Sequence, residues 1–312
     1  MRTDLRDTAR RARAFLRAHA LRLSGRQVGA ALVYHRVGDP AGDPSRELVP
    51  NLGVALFEAQ VRHLRSCYRF VRASELPHAM ASRRRGQRLP VAITFDDDLA
   101  SHGAVAAPIL ERLGARATFF LTGAALERPA RFWWEDLQAA VDAGVAPPDV
   151  LDGGPAQIHE AAQSIKLMSP ERRTVVTQQL EQLVQKASPE PGLRSADVAR
   201  LAQAGHEIGF HTRAHDYLPN LEPAGLARAM VEGRGELEAA AGTEIRSIAY
   251  PHGGADTRVA DAARSAGFQV GYTTEATAIG SAANPMLAGR IEPSFASVGA
   301  LASQLSRGLS RA

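Results

Sequence analysis

Three aspartates, Asp96-Asp97-Asp98, directly follow an apolar run that begins at Val91. The run predicts a short buried strand. Successive side chains of a strand point to opposite faces, so the chain must turn after the strand if two of these carboxylates are to share a cleft. Adjacent like charges are tolerated only where a cation, protonation or solvent offsets them. Taken alone, the segment also fits a solvated turn with helix-capping aspartates.

Two histidines lie four residues apart, His211 and His215, just after a predicted strand at 206–210. Two imidazoles from one turn and a carboxylate from another strand end form a set of three ligands for a divalent metal. Catalytic zinc sites typically use three such ligands and keep a position for water or substrate. The His-x-x-x-His spacing is weak on its own, but the aspartates at another strand end strengthen it.

The elements that must position these residues alternate along the chain. Strands are predicted at 30–34, 70–71, 91–95, 117–121, 206–210, 247–250 and 268–273, and helices at 57–64, 101–113, 132–144, 195–205, 223–241 and 256–266. Two further polar helices fill 157–187 and form a predicted insertion at about 150–195. Strands separated by helices pair in parallel through right-handed crossovers.

The number of these units and the lack of a Gly-rich dinucleotide loop favour a closed or nearly closed α/β barrel over a doubly wound sheet. Functional groups in such barrels gather at the C-terminal ends of the strands. Several chemically able side chains fall at predicted strand ends: His35, Asp96, Asp97, His211 and His252.

Charge is distributed unevenly over the 312 residues. Residues 1–26 hold eight arginines against two aspartates, whereas the remainder carries a net charge of −2. The body is therefore not a basic nucleic-acid binder, and no nucleic-acid partner is expected. The single Cys67 excludes an internal disulfide framework.

Apolar residues recur at helical spacing in this basic segment, so residues 1–27 predict an amphipathic helix ahead of a domain at 28–312. The helix either attaches to an anionic membrane surface or packs on the body or on a partner. Arginines interrupt every candidate signal sequence, and no stretch approaches the roughly 20 apolar residues of a membrane span. We expect a cytoplasmic protein, either free or peripheral to the inner membrane through this helix.

Three segments resemble the successive motifs of the polysaccharide deacetylase (NodB-like) superfamily. They are Thr94-Phe95-Asp96-Asp97, His211-Thr212-Arg213-Ala214-His215 and Tyr250-Pro251-His252-Gly253. Three more are similar to a bacterial branch: Tyr34-His35-Arg36-Val37-Gly38, Phe132-Trp133-Trp134 and Gly205-His206-Glu207-Ile208-Gly209. The resemblance, from about residue 30 to residue 293, implies a distorted (β/α) barrel of about seven strands. It also implies a divalent metal, usually zinc, used to remove acetyl groups from N-acetylated sugars.

Carried over by position, the resemblance implies Asp97, His211 and His215 as the metal ligands and Asp96 as the general base. An aspartate beside a cation stays ionised and can orient the attacking water. The backbone N–H of His252 would face the developing oxyanion. Around the metal we expect these substrate-binding residues: His252, Tyr250, Pro251, Trp133, Trp134, Asp98 and Arg290.

The chain departs from the family pattern in three places. Asp98 stands where the family usually has glycine, and Ala249 replaces the arginine that orients the base in many members. The late Leu-x-x-His motif, which carries the family's general-acid histidine, is absent from the sequence. We therefore expect the acid to be His35, with His252 and His102 as alternatives.

The pattern as a whole predicts a metal-dependent N-deacetylase for an N-acetylhexosamine-containing glycan, glycolipid or sugar intermediate. A catalytically weakened sugar-binding protein is the non-enzymatic alternative, given the departures at Asp98 and Ala249. A glycoside hydrolase with paired carboxylates is a further alternative, because barrels host both chemistries. It would leave His211 and His215 without a role.

Overall fold

The computed structural model describes residues 2–130, 132–145, 157–184 and 192–312. Its strands are all short and lie in one sheet. They are β1 (Ala30–Tyr34), β2 (Arg69–Phe70), β3 (Pro90–Asp96), β4 (Thr118–Leu121), β5 (Glu207–Phe210), β6 (Ser247–Ala249), β7 (Val270–Tyr272) and β8 (Arg290–Ile291). Each strand named in the sequence analysis is present, and β8 was not predicted.

The sheet runs in the order β7, β6, β5, β4, β3, β1, β8, and every pair is parallel. Strand β2 pairs with the start of β3. A parallel bridge between Tyr272 and Ala288 joins the two edges of the sheet, and the amide of Ala288 donates to the carbonyl of Gly271 at 2.9 Å. The result is a nearly closed barrel of seven strands with surrounding helices, which confirms the predicted fold.

Helices connect the strands on the outside of the barrel. They are α1 (Arg2–Leu23), α2 (Val54–Cys67), α3 (Leu76–Ala81), α4 (Ala107–Arg112), α5 (Trp133–Asp142), α6 (Ile158–Leu167), α7 (Pro170–Leu183), α8 (Ser195–Gln203), α9 (Pro223–Ala229), α10 (Arg234–Ala241), α11 (Thr257–Ser265) and α12 (Val298–Arg311). A π-helical turn, His102–Ala106, leads into α4. Among the described residues, none of the helices combines the length and apolar character needed to cross a membrane.

The central strands are buried on both faces, which is why their sequences are nearly continuous apolar runs. Every residue of β1 and of β3 is buried. A row of aromatic rings packs at the ends of these strands: Tyr34 stacks on Phe95, and Phe95 stacks on Phe119, with ring centroids 5.4 and 5.0 Å apart. This packing fixes the position of the chain where Asp96 and Asp97 emerge.

The predicted helix at 223–241 is in fact two helices, α9 and α10. The break comes at Gly233, whose φ of 80° lies in the left-handed region. Glycine adopts this conformation without the strain that a side chain would bring. The break between the two helices therefore coincides with a left-handed glycine.

Helices α6 and α7 occupy the predicted insertion and separate at Ser169, whose side chain caps α7 by accepting from the amide of Arg172. With α5 they enclose a small apolar cluster that includes Leu137, Ile165 and Leu180. The ends of the insertion fall partly on 146–156 and 185–191, outside the described residues. The predicted domain boundaries, 1–27 and 28–312, stay a prediction.

Candidate active site

Three potential metal ligands converge at the C-terminal ends of β3 and β5. The ligand atoms of Asp97, His211 and His215 all lie within 4.8 Å of one another, and all three residues are buried. The Oδ1 atom of Asp97 is 3.7 Å from Nε2 of His211 and 3.4 Å from Nε2 of His215. The residues predicted as metal ligands are thus brought together.

An unusual backbone conformation aims these side chains. In the described chain the non-glycine residues with positive φ are Asp97 (72°), Thr212 (53°), His215 (48°) and His252 (57°). Residues other than glycine adopt this backbone conformation rarely. It persists where the surrounding structure holds it, often at functional sites. The turn that must follow the strand before the aspartates begins at Asp97, so Asp97 turns into the cleft that Asp96 faces.

The orientation of His211 is set by a hydrogen bond behind it. Its Nδ1–H donates to the backbone carbonyl of Ala249 at 2.8 Å, which leaves Nε2 directed toward Asp97. Burial lowers the pKa of His211 to about 4, so the ring is neutral near pH 7. A neutral imidazole with its second nitrogen engaged in this way is suited to bind a metal.

The three residues fit a divalent metal by their chemistry. The Oδ1 atom of Asp97, which faces Nε2 of both histidines, is buried without a hydrogen-bond partner. Burial alone would raise the pKa of Asp97, but the neighbouring imidazole of His215 outweighs it and holds the pKa well below its usual range. Two imidazole nitrogens and one carboxylate oxygen are the donors that zinc accepts in catalytic sites.

Asp96, the expected general base, is held by Arg290 of β8. The Nη1 and Nη2 atoms of Arg290 donate to the two carboxylate oxygens of Asp96, each at 2.6 Å. Burial opposes ionisation of Asp96, but the charge and the hydrogen bonds of Arg290 outweigh it and lower its pKa. Arg290 is only 1% exposed and contacts the expected base, and its predicted contact with substrate stays a prediction.

A cleft of about 510 Å³ opens over these residues. Eight of the twelve predicted site residues line it: His35, Asp96, Asp97, Trp133, Trp134, His211, His215 and His252. A second cavity of about 620 Å³ adjoins it, because His35, Thr274 and Glu292 line both. The space above Asp97, His211 and His215 therefore continues past His35.

The two tryptophans contribute differently to this cleft. Trp134 is 6% exposed, stacks on Phe132 with centroids 4.6 Å apart, and lies 4.6 Å from the ring of His215. Trp133 is half-buried and lies 6.1 Å from the ring of His252. Trp134 thus anchors the start of α5 against His215, while Trp133 keeps a surface open to the cleft.

A family model of polysaccharide deacetylases matches residues 83–147 and 167–271, which is more than half of the chain. The chain belongs to the polysaccharide deacetylase family. The match leaves out residues 148–166, which include nearly all of α6, and it covers α7. No curated protein sequence matches the chain.

Solved structures of deacetylases share the fold of this family member. A Streptococcus pyogenes deacetylase, PplD, in complex with acetate superposes with a TM-score of 0.63 at 18% identity, over 89% of this chain and 98% of that one. A polysaccharide deacetylase from Bacillus cereus gives 0.61 at 17%, over 90% and 69%. IcaB from Ammonifex degensii gives 0.58 at 19%, over 90% and 98%. At these identities the likeness shows the fold.

Three residues predicted to bind substrate are placed outside the cleft. Tyr250 is fully buried and Pro251 is buried, and the hydroxyl of Tyr250 donates to the carbonyl of Met286 at 2.8 Å. The carboxylate of Asp98 accepts hydrogen bonds from the hydroxyl and amide of Thr122 and from the amide of Gly123. Burial raises the pKa of Asp98 to about 6. Asp98 therefore links the end of β3 to the end of β4, and its contact with substrate stays a prediction.

His35 and His102, both considered as the acid, have different surroundings. His102 is fully buried between the rings of Phe95 and Phe119, and its Nε2–H donates to the backbone carbonyl of His35 at 3.0 Å. It cannot reach a substrate from there. The side chain of His35, in contrast, faces the cleft.

The sequence analysis missed one wall of the cleft. His159, Gln163 and Lys166 of α6 line it opposite the barrel residues. Their spacing of four and then three residues places them on one face of the helix. This spacing is visible in the sequence and indicates one polar helix face. Nothing in the neighbouring residues indicates that this face lies beside the ends of the barrel strands.

Proposed function

We propose that this protein is a metal-dependent hydrolase that removes N-acetyl groups from an N-acetylhexosamine-containing glycan, glycolipid or sugar intermediate. The observation that carries the proposal is the convergence of Asp97, His211 and His215 within 4.8 Å beside an aspartate that Arg290 holds. Family membership supports sugar N-deacetylation, and the donor set supports a divalent metal, zinc before others.

Each chain residue has a distinct task in this proposal. A divalent metal at Asp97, His211 and His215 would supply polarisation of the acetyl carbonyl and a lower pKa for the attacking water, toward about 7. Asp96 is ionised because Arg290 stabilises its charge, so it can accept the proton of that water. Each carboxylate oxygen has a second lone pair beyond the one that Arg290 occupies.

The departing amine needs a proton, because an unprotonated amide nitrogen is a poor leaving group. As the water oxygen bonds to the acetyl carbon, the C–N bond breaks, and the products are acetate and a free amine. We assign the donated proton to His35, which faces the cleft together with Asp96. His252 also lines the cleft, and its buried Nε2 has no hydrogen-bond partner, so it is the second candidate.

Two further groups are proposed to position the sugar. The backbone N–H of His252 faces the developing negative charge on the acetyl oxygen. Trp133 presents a half-buried aromatic surface to an apolar face of the ring. Both assignments come from the resemblance of the motifs and from the placement of these residues along the cleft.

The deciding experiment measures bound metal and acetate release from N-acetylglucosamine oligosaccharides with the full chain. Asp96→Asn is expected to keep the metal and lose turnover, and His211→Ala to lose both. His78→Ala, at an exposed helix position, is the control and should behave as wild type. Unaltered acetate release in both active-site variants would refute the mechanism.

The alternatives predict other outcomes in the same assay. A sugar-binding protein would bind the oligosaccharide without releasing acetate under any divalent metal. Two of the departures that motivated this reading have structural explanations, because Arg290 holds the base in place of an arginine at position 249 and Asp98 bonds Thr122. A glycoside hydrolase would yield shorter chains and new reducing ends, and would not need His211.

Two expectations about the surroundings of the protein stay predictions. The cytoplasmic location is one. The other is peripheral contact of the N-terminal helix with a membrane, for which the packing of α1 supplies a structural argument.

A further inference from the structure

Helix α1 packs on the body through its small residues and turns its large apolar residues outward. Ala14 and Ala18 are 3% and 5% exposed, whereas Leu5 and Leu16 are 67% and 68% exposed. Phe15 is 49% exposed. Amphipathic helices of globular proteins usually show the reverse arrangement, with the large apolar side chains facing the core.

The exposed leucines form one line along the helix. At 3.6 residues per turn, Leu5, Leu16 and Leu23 lie within about 20° of one another and roughly opposite Ala14 and Ala18. Leu23 is 49% exposed. Four of the nine exposed large hydrophobic residues in the described chain belong to α1. The outward apolar line is thus a concentrated feature of this helix.

Basic side chains flank the line and meet those of α12. A cavity of about 570 Å³ lies between the two helices, lined by Arg17, Ala20, Leu21, Arg307, Ser310 and Arg311. None of these described lining residues is acidic. Arginine guanidinium groups bind phosphate through two parallel hydrogen bonds, so three of them around one cavity suit a phosphate-bearing group.

We propose that the outward face of α1, with this basic cavity beside it, docks on an anionic phospholipid surface. The exposed leucines and Phe15 would enter the boundary between headgroups and acyl chains, and the arginines would contact the headgroup phosphates. The body carries −2 and residues 1–26 carry the positive charge, so the field of a negative surface orients this side toward it.

Other occupants fit this face less well. A second copy of the chain would bring one arginine-rich face against another, and like charges repel. A nucleic acid would engage the arginines but would leave the leucine line exposed to water. An anionic lipid surface satisfies both the apolar line and the charges.

Docking through α1 also sets the direction of the cleft. The amide of Gly299, at the start of α12, donates to Oδ1 of Asp7 at 2.8 Å, and Arg26 donates to the carbonyl of Ser310 at the other end. The two helices therefore run side by side in the same direction, away from the end of β8 where the cleft lies. The barrel axis would lie roughly parallel to the lipid surface, and the cleft would open sideways, along that surface.

The test is co-sedimentation of the full chain with phosphatidylcholine vesicles, with or without phosphatidylglycerol. Wild type is expected to sediment with the anionic vesicles alone, and less so at high salt. Leu5→Ser/Leu16→Ser and Arg17→Ser/Arg307→Ser should each weaken binding about tenfold or more. Leu183→Ser, at an exposed leucine of α7, is the matched control and should bind as wild type.

Circular dichroism and acetate release of the variants show that the fold and the proposed activity persist, so a failure of lipid binding is separable from a failure of catalysis. Equal binding to neutral vesicles, or unchanged binding of both double variants, would overturn the proposal. So would a wild-type dimer in solution that Leu16→Ser converts to a monomer without any lipid binding.

Discussion

Arg290 donates hydrogen bonds to both carboxylate oxygens of Asp96, at 2.6 Å each, from β8, which lies beyond β1 in the sheet. Its other donors are also engaged, since Nη1 reaches the hydroxyl of Thr94 and Nε the carbonyl of Thr273. The guanidinium is therefore locked inside the barrel. By the family resemblance, many members have an arginine that orients the base at the position of Ala249. In this chain Arg290 contacts the expected base from another strand.

This contact predicts a loss of turnover in Arg290→Lys. Lysine keeps the positive charge, but it cannot donate two parallel hydrogen bonds to the carboxylate. Asp96 would be misplaced, and we expect kcat for acetate release to fall about a hundredfold. Bound zinc should be unchanged, because Arg290 does not contact the proposed metal ligands in the described contacts.

Lysine is the informative choice because Arg290→Met would leave a buried, unpaired carboxylate, which costs about 3–5 kcal/mol of folding free energy. Arg84→Lys, at an exposed loop position, is the control. An Arg290→Lys enzyme with wild-type kcat would show that the two hydrogen bonds from Arg290 do not orient Asp96.

Removal of the metal should lower stability. A ligand that binds only the folded state at a hundred times its Kd adds about 2.7 kcal/mol to the free energy of unfolding. We therefore expect zinc to raise the Tm of chelator-treated wild type but not that of His211→Ala or His215→Ala. An equal rise in both variants would place the zinc elsewhere. This measurement does not depend on any substrate.

Much of the barrel could be predicted from the sequence because its strands are local apolar runs with chemically able residues at their ends. The strand before Asp96 and the strand before His211 both carry that signal, and parallel strands meet at one edge. The three proposed metal ligands followed from this rule together with the family motifs. Their mutual distances agree with it.

What the sequence could not supply depends on contacts between distant segments. Arg290 lies 194 residues from Asp96, and a lone arginine in a two-residue strand carries no sign of its partner. The helix break at Gly233 depends on a left-handed φ at one glycine, and a glycine inside a helical pattern does not by itself reveal its φ. Asp98 looked like a third site carboxylate because its hydrogen-bond partner, Thr122, is recognisable only when β3 and β4 lie side by side.

The inserted helices are expected to support the metal ligands. Arg173 of α7 pairs with Asp216, the residue after the ligand His215, and both side chains are largely buried. Arg173→Gln should release this loop and weaken zinc binding roughly tenfold to a hundredfold. Arg172→Gln, at the exposed neighbouring position, is the matched control. Competition with a chelator measures the zinc Kd, and equal Kd values for both variants would contradict the support.

The tryptophans should separate substrate binding from stability. Trp133→Ala is expected to raise KM with little change in Tm, because this side chain is half-buried and open to the cleft. Trp134→Ala removes a buried ring that stacks on Phe132, and should lower the free energy of unfolding by about 3–5 kcal/mol. Steady-state kinetics and denaturant unfolding of both variants test this division. A Trp133→Ala enzyme with unchanged KM would remove its proposed sugar contact.

His102 should make the protein less stable in acid. Burial lowers its pKa from the usual 6.5 to about 4, so the folded state keeps the ring neutral while the unfolded chain protonates it. The stability that His102 contributes is present above about pH 6.5 and is lost as the pH falls toward 4. Between about pH 7.5 and about pH 5 this loss is on the order of 2 kcal/mol.

His102→Phe fills the space between Phe95 and Phe119 with a ring that does not titrate. Denaturant unfolding of chelator-treated protein at the two pH values should show a smaller acid-side loss in this variant than in wild type. His78→Phe, at an exposed position, should keep the wild-type loss. Because His102→Phe and wild type differ at this position alone, the difference between their acid-side losses measures the contribution of His102. An identical pH dependence in His102→Phe and wild type would mean that the folded protein admits a proton at His102 as readily as the unfolded chain.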